Sequence, residues 1–230
     1  MKSEGFEIPL ATCASELKTP LILLRQLALE LEVANDPVRQ KEIARRMRLA
    51  TERSLRLTDN LSKLASLDGA MFECEPVNLG GICLEVVAEL SPLSQAMAQE
   101  FEIKNSKTMV ATAHRELLYG VVMGLVDNAL GASGSKIKIS LRQKKGALEI
   151  SVRDFGPIVD LAEMRQLQKN LAWQKKPISA RPSNGNLGLV IADKFARAMG
   201  GELKFSRHHS GGATFSVRLP LSQQLRLEGV

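Results

Sequence analysis

The stretch Ala14-Ser15-Glu16-Leu17-Lys18-Thr19-Pro20-Leu21 places an alcohol, a carboxylate and a second alcohol within one short run. On a helix, positions three and four apart are surface neighbours, so Thr19 adjoins both Ser15 and Glu16 and the three project to neighbouring parts of the helix surface. A serine hydroxyl attacks phosphorus only when a general base takes its proton. Glu16 is next to Ser15 in sequence but points elsewhere around the helix, so it is poorly placed as that base. The histidines His114, His208 and His209 do not sit in a helical run with an adjacent acid and a following proline, so none offers an obvious nucleophile. Cys13, Cys74 and Cys83 are odd in number and match no metal-binding spacing.

The element that positions the hydroxyl and carboxylate run is a long heptad-patterned helix. Leu10, Ala14, Leu17, Leu21, Leu24, Ala28 and Leu31 recur at alternating steps of four and three. Pro20 lies inside this helix, removes a backbone donor and pushes against the carbonyl of Glu16, so a bend is expected beside Ser15. Ala34-Asn35-Asp36-Pro37 then ends it, with Asp36 suited to cap a second helix and Pro37 suited to its first position. Ile43, Met47, Ala50, Ser54, Leu57, Leu61 and Leu64 continue the pattern until Asp68-Gly69. A hairpin with a one-sided apolar stripe cannot cover that stripe alone, and pairing of two copies into a four-helix bundle is the expected solution. On this seam, Ser15, Glu16 and Thr19 flank the stripe and are expected to face solvent.

The 230-residue chain carries a formal charge of +6 and 44% apolar residues, enough for a folded core. Much of the positive charge comes from one predicted helix, through Arg39, Lys41, Arg45, Arg46, Arg48, Arg53 and Arg56. That run reads as a solvated or protein-binding face rather than a nucleic-acid surface. No apolar run approaches the ~20 residues that span a bilayer, and Met1 to Leu10 lacks the apolar core of a signal peptide. The expectation is a cytoplasmic protein with no membrane contact.

Residues 69–76 read as a linker, and a second domain is expected over 77–220, between an N-terminal arm (1–9), the hairpin (10–68) and a tail (221–230). Its pattern predicts a helix over Ile82 to Ala98, strands near Phe101 to Lys104 and Met109 to Thr112, and a helix from His114 to Leu130. A strand pair follows over Lys136 to Arg142 and Ala147 to Arg153, turning at Lys145-Gly146. After a long irregular segment come a helix from Leu187 to Met199 and strands Glu202 to Arg207 and Ala213 to Leu219, joined through Gly211-Gly212. The ordering indicates an α+β chain: a helical hairpin, then an α/β sandwich whose helices cover one sheet face.

Five boxes in this order carry a family resemblance. Ala14 to Leu21 resembles the phosphoacceptor box of sensor histidine kinases, usually SHELRTPL, with Ser15 where the family has histidine. Leu125-Val126-Asp127-Asn128-Ala129-Leu130 resembles the N box, NLLDNAL. Val152-Arg153-Asp154-Phe155-Gly156-Pro157 resembles DNGPGI, and Gly185-Asn186-Leu187-Gly188-Leu189 resembles GTGLGL. Gly211-Gly212-Ala213-Thr214-Phe215 and the residues to Pro220 resemble the terminal strand pair. The resemblance implies the histidine-kinase/gyrase-type ATPase fold and a homodimer working with response-regulator receiver domains. It implies ATP and magnesium, with Asn128 as metal ligand, Asp154 accepting from the adenine amino group, Gly156 beside it as a cofactor-binding residue, and Gly188 where phosphate would meet backbone amides at a helix N-terminus. It also implies that Glu16 and Thr19 serve hydrolysis of a receiver's aspartyl phosphate.

The departures from the family pattern lie around the nucleotide and the phosphoacceptor. Gly124 replaces the first Asn of the N box, Gly131 and Ala132 replace the Lys and aromatic residue after it, Ile158 replaces the second glycine of the next box, and Asn184 and Asn186 replace lid glycines. Lys169, Lys175, Lys176 and Arg181 in the same lid could meet phosphate as point charges or form a mobile basic loop. Three readings therefore stay open. The preferred one is a pseudokinase that binds receivers and supports their dephosphorylation, with autophosphorylation at the usual site lost. The second is an ATP-dependent kinase with weakened boxes, and the third a non-catalytic dimeric module or phosphotransfer-like scaffold.

Overall fold

The heptad segments fold as the expected pair of helices, α1 (Leu10–Val33) and α2 (Pro37–Ser66). In this computed structural model the residues described are 10–67, 73–104, 109–132, 134–144, 146–157 and 187–220. The arm, the tail, Ile158 and the basic lid residues lie outside them. The turn between the helices is set as the residue types dictate. The Asp36 carboxylate accepts from the Val38 and Arg39 amides at 3.1 and 3.3 Å, and Pro37 begins the helix. Such a cap satisfies amides that no intrahelical carbonyl reaches and is worth about 1 kcal/mol. Arg39 reaches back to Glu30 at 2.8 Å, and the Gln40 side-chain amide donates to the Ala34 carbonyl at 2.7 Å.

Within the hairpin the apolar contact is narrower than the heptad reading implies. Leu27, Ala34 and Ile43 are buried, with Leu31 and Met47 packed against them. Leu21, placed on the seam by its spacing, is instead 58% exposed, and the adjoining Ile22, Leu23 and Leu29 are exposed as well. Two helices meeting edge to edge bury one line of side chains, so a wider stripe keeps its outer half open.

A second unit, Gly69–Val230, is separate from the first, Met1–Asp68. It contains β1 (Glu75–Asn78), α3 (Leu79–Ala96), β2 (Glu100–Lys104), β3 (Val110–Ala113), α4 (Arg115–Leu130), β4 (Lys136–Lys144) and β5 (Ala147–Asp154). After the lid come α5 (Leu187–Ala198), β6 (Glu202–Arg207) and β7 (Ala213–Pro220). The end of the stretch read as linker is thus β1, which pairs antiparallel with β3, Val77 opposite Ala111. Helix α3 also starts earlier than its apolar pattern suggests, because the Asn78 side chain caps it by accepting from the Gly80 and Gly81 amides.

The main sheet has the order β2-β4-β5-β7-β6. All its neighbours are antiparallel except β2 with β4, which run parallel and are joined by the crossover through β3 and α4. Strict alternation sends Leu148, Ile150, Val152 and Asp154 of β5 inward and Glu149, Ser151 and Arg153 outward. The inward side packs on α3, α4 and α5, whose Ile82, Leu118, Val122, Leu125 and Phe195 are fully covered. Each such side chain contributes about 1.5–3 kcal/mol relative to exposure. This is the helical hairpin followed by a helix-backed sheet expected from the sequence.

Candidate functional site

Ser15 and Thr19 are exposed on α1, as the spacing requires, while Glu16 is half-buried rather than solvent-facing. Burial pushes the Glu16 carboxyl above its ordinary value, and Arg53 on α2 pulls it back down. The Thr19 hydroxyl donates to the Ser15 carbonyl at 3.3 Å, one turn back. That bond fixes the donor end of the hydroxyl and leaves its lone pairs outward. Because Pro20 has no amide proton, the Glu16 carbonyl lacks its intrahelical partner in this same turn. The first unit therefore gathers an exposed alcohol, an oriented second alcohol and a half-buried carboxyl whose pKa burial raises.

In the second unit the inward alternation of β5 delivers Asp154 to the sheet's end, where it is 3% exposed. One of its oxygens accepts from the Gly156 amide at 3.1 Å and the other from the Ala213 amide at 3.2 Å. The two amides thus aim the carboxylate, one at each oxygen. Glycines make this clamp possible. A Cβ on Gly156 would stand 2.1 Å from the Ala132 carbonyl oxygen, and one on Gly212 would stand 2.2 Å from the Asp154 carbonyl oxygen. Gly212 also has φ +73°, a region that disfavours any side chain.

Asn128 lies half-buried on α4, and its side chain makes no hydrogen bond among the described residues. It is thus available to a metal or water ligand. Its helix neighbour Gly124 sits against α5: a Cβ there would be 3.1 Å from the Gly188 carbonyl oxygen and 3.5 Å from Ala192 Cβ. The two helices therefore approach backbone to backbone. Gly188 itself has open space where its Cβ would be, so its role in packing is to present that carbonyl rather than to avoid a clash. The structure brings Asp154 and Gly156 together; Ser15, Glu16 and Thr19 form a separate group in the other unit.

Residues beside Asp154 were not legible as part of the site. His208 Nε2 lies 2.7 Å from Thr214 Oγ1 in the β6–β7 hairpin. Desolvation and then Arg153 hold its imidazole below the ordinary histidine value, with Asp154 acting in the opposite direction. The Arg153 guanidinium lies 4.4 Å above the Phe155 ring. The one usable signal was strand alternation, which turns Arg153 away from the interior that Asp154 enters.

Residues 113–223 match the family described as "Histidine kinase-, DNA gyrase B-, and HSP90-like ATPase". The chain is 26% identical over 212 residues to the Sensor protein CutS of Streptomyces coelicolor, covering 90% of this chain and 50% of CutS. It spans about half the length of the curated relatives it matches. Among solved structures, Acinetobacter baumannii histidine kinase AdeS superposes with a TM-score of 0.61 at 17% identity, covering 90% of this chain and 98% of that one. Histidine kinase ThkA in complex with response regulator protein TrrA superposes with a TM-score of 0.61 at 21% identity, covering 93% of this chain and 61% of that one. Among the described residues, no helix is long and apolar enough to cross a membrane.

Proposed function

The chain belongs to the two-component sensor histidine kinase family, and from that premise we propose that it binds response-regulator receiver domains and promotes loss of their acyl phosphate without phosphorylating them itself. The observation that carries this reading is the box on α1, where an exposed Ser15 stands in the phosphoacceptor position while Glu16 and Thr19 are retained beside it. Hydrolysis of an aspartyl phosphate needs an aligned water and the receiver's own magnesium, but no imidazole from the helix. Thr19, its proton committed to the Ser15 carbonyl, offers lone pairs to such a water. Glu16, half-buried beside Thr19 with Arg53 of α2 acting on it, supplies a second polar group at the same turn. The exposed stripe of Leu21, Ile22 and Leu29 is covered by a second copy, giving a homodimeric four-helix bundle.

The second unit fits an adenine nucleotide at its base end. Asp154, buried and oriented by the Gly156 and Ala213 amides, would face the exocyclic amine, and Asn128 on α4 would hold magnesium. When bound, ATP is the phosphoryl donor in kinases of this fold. Here the chain's residues hold the nucleotide as an effector, which requires only different affinity for two conformations.

The test loads receivers from the same genome with phosphoramidate and follows their dephosphorylation by the purified chain. Dephosphorylation is expected to survive Ser15→Ala and to disappear in Thr19→Ala, with no label from [γ-32P]ATP appearing on the chain. Equal effects of the two substitutions, or label on Ser15, would sink the proposal.

A further inference from the structure

The outward face of the main sheet carries two rows of charge built on opposite rules. In one, Arg218 lies between Glu149 at 2.7 Å and Glu202 at 3.6 Å, so signs alternate across strands and cancel. In the other, Lys138 of β4 stands directly opposite Arg153 of β5. Like charges in facing positions work against strand pairing. Lys104 of β2 joins them diagonally, since its register partner Ser140 is two residues from Lys138.

The nearest carboxylate neutralises this group only in part. Glu102 is in register with Lys138, yet one of its oxygens is paired with Lys104 at 3.4 Å and the other with Lys136. Lys138 has no ion pair among the described residues, and the Lys104 ammonium, with desolvation and Arg153 behind it, holds its pKa below the ordinary lysine value. Arg153 Nε is buried without a hydrogen-bond partner among the described residues. Next to these cations Ser140, Ser151 and Ser216 lie level across three strands, small residues of which Ser140 and Ser216 are buried.

We propose that this face is a docking surface for an acidic polypeptide segment, whose carboxylates are received by Lys104, Lys138 and Arg153. Charge complementarity selects an anion, because the cations are already in place with their counter-charge shared out. The chemistry of the surface selects a peptide over a nucleic acid. Bases need aromatic faces to stack on, and Phe155, the aromatic beside this cluster, has a face covered by the Arg153 guanidinium. A carboxylate, by contrast, matches the guanidinium fork and pairs with the lysine ammonium groups. The surface is independent of the nucleotide and receiver readings.

The experiment measures fluorescence anisotropy of a labelled oligoglutamate peptide, and of an oligothymidylate of equal length, against the full chain at low salt. The peptide is expected to bind more tightly than the oligonucleotide. Lys138→Ala and Arg153→Gln are each expected to weaken peptide binding about threefold, and together about tenfold, in line with exposed charge pairs. The double variant Lys41→Ala, Arg46→Ala on α2 is expected to leave it unchanged. Because Lys138→Ala removes a like-charge contact, the melting temperature should hold or rise. Loss of peptide binding in the α2 variant instead, equal or tighter oligothymidylate binding, no peptide binding, or a lowered melting temperature for Lys138→Ala would each overturn the proposal.

Discussion

Three glycine-to-alanine substitutions separate the forces that hold Asp154 in place. Gly212 and Gly146 share nearly the same backbone, at φ +73° and +74°, but differ in surroundings. Alanine at either position incurs the left-handed penalty of roughly 1–2 kcal/mol. At Gly146 nothing lies within 4 Å of the new Cβ, so that penalty is the whole effect. At Gly212 the Cβ would fall 2.2 Å from the Asp154 carbonyl oxygen, and backbone must move by about an ångström to admit it. Overpacking of this kind adds about 1–3 kcal/mol. Gly212→Ala should therefore cost about 2–5 kcal/mol and Gly146→Ala about 1–2. Gly188, helical with open space at its Cβ, should gain about 0.5–1 kcal/mol as alanine. Hydrogen exchange of the β5 and β7 amides reads the opening free energy of this unit without the hairpin. If Gly212→Ala opens no more readily than Gly146→Ala, the clash argument, and with it the glycine clamp on Asp154, is wrong. A Gly188→Ala chain that is more stable yet binds ATP less well would assign that glycine to the nucleotide rather than to folding.

Two further outcomes follow from side-chain environment. Cys83 is fully buried and its thiol is pushed up to about 12 by desolvation, whereas Cys74 is exposed. At pH 8 iodoacetamide should modify Cys74 readily and leave Cys83 intact until urea unfolds the unit, as intact-mass and peptide mapping would show; early Cys83 labelling would contradict the packing. For Glu16 the folded pKa lies above the ordinary 4.5, so its contribution to hairpin stability is present below that value and is lost as pH rises through the folded pKa. Glu16→Gln should flatten this dependence in melts followed by circular dichroism. A dependence of the opposite sign would mean that Arg53 outweighs burial.

The hairpin turn was legible because its determinants are local. Asp36 and Pro37 act on amides within three residues of themselves, and no distant partner alters that. Strand β1 was not legible, because the pairing of Val77 with Ala111 joins residues far apart and the four-residue strand carries little alternation of its own. Glu16 was misplaced toward solvent for a related reason. Heptad spacing locates the apolar stripe but not how far the second helix closes over its flank, and that closure covers the carboxyl.

The ordered boxes and the period of each segment determined the family, the two-part architecture and the identity of Ser15, Asn128 and Asp154 as the residues to examine, since these are written in residue type and short spacing. The tertiary structure decided what surrounds them. Ala213, 59 residues from Asp154 along the chain, becomes one of its two donors only when β7 pairs with β5. Lys138 and Arg153 become an uncancelled pair only through the register of β4 on β5. Contacts across strands and between helices depend on register and approach distance, which are properties of the packed whole and leave no mark in the local pattern.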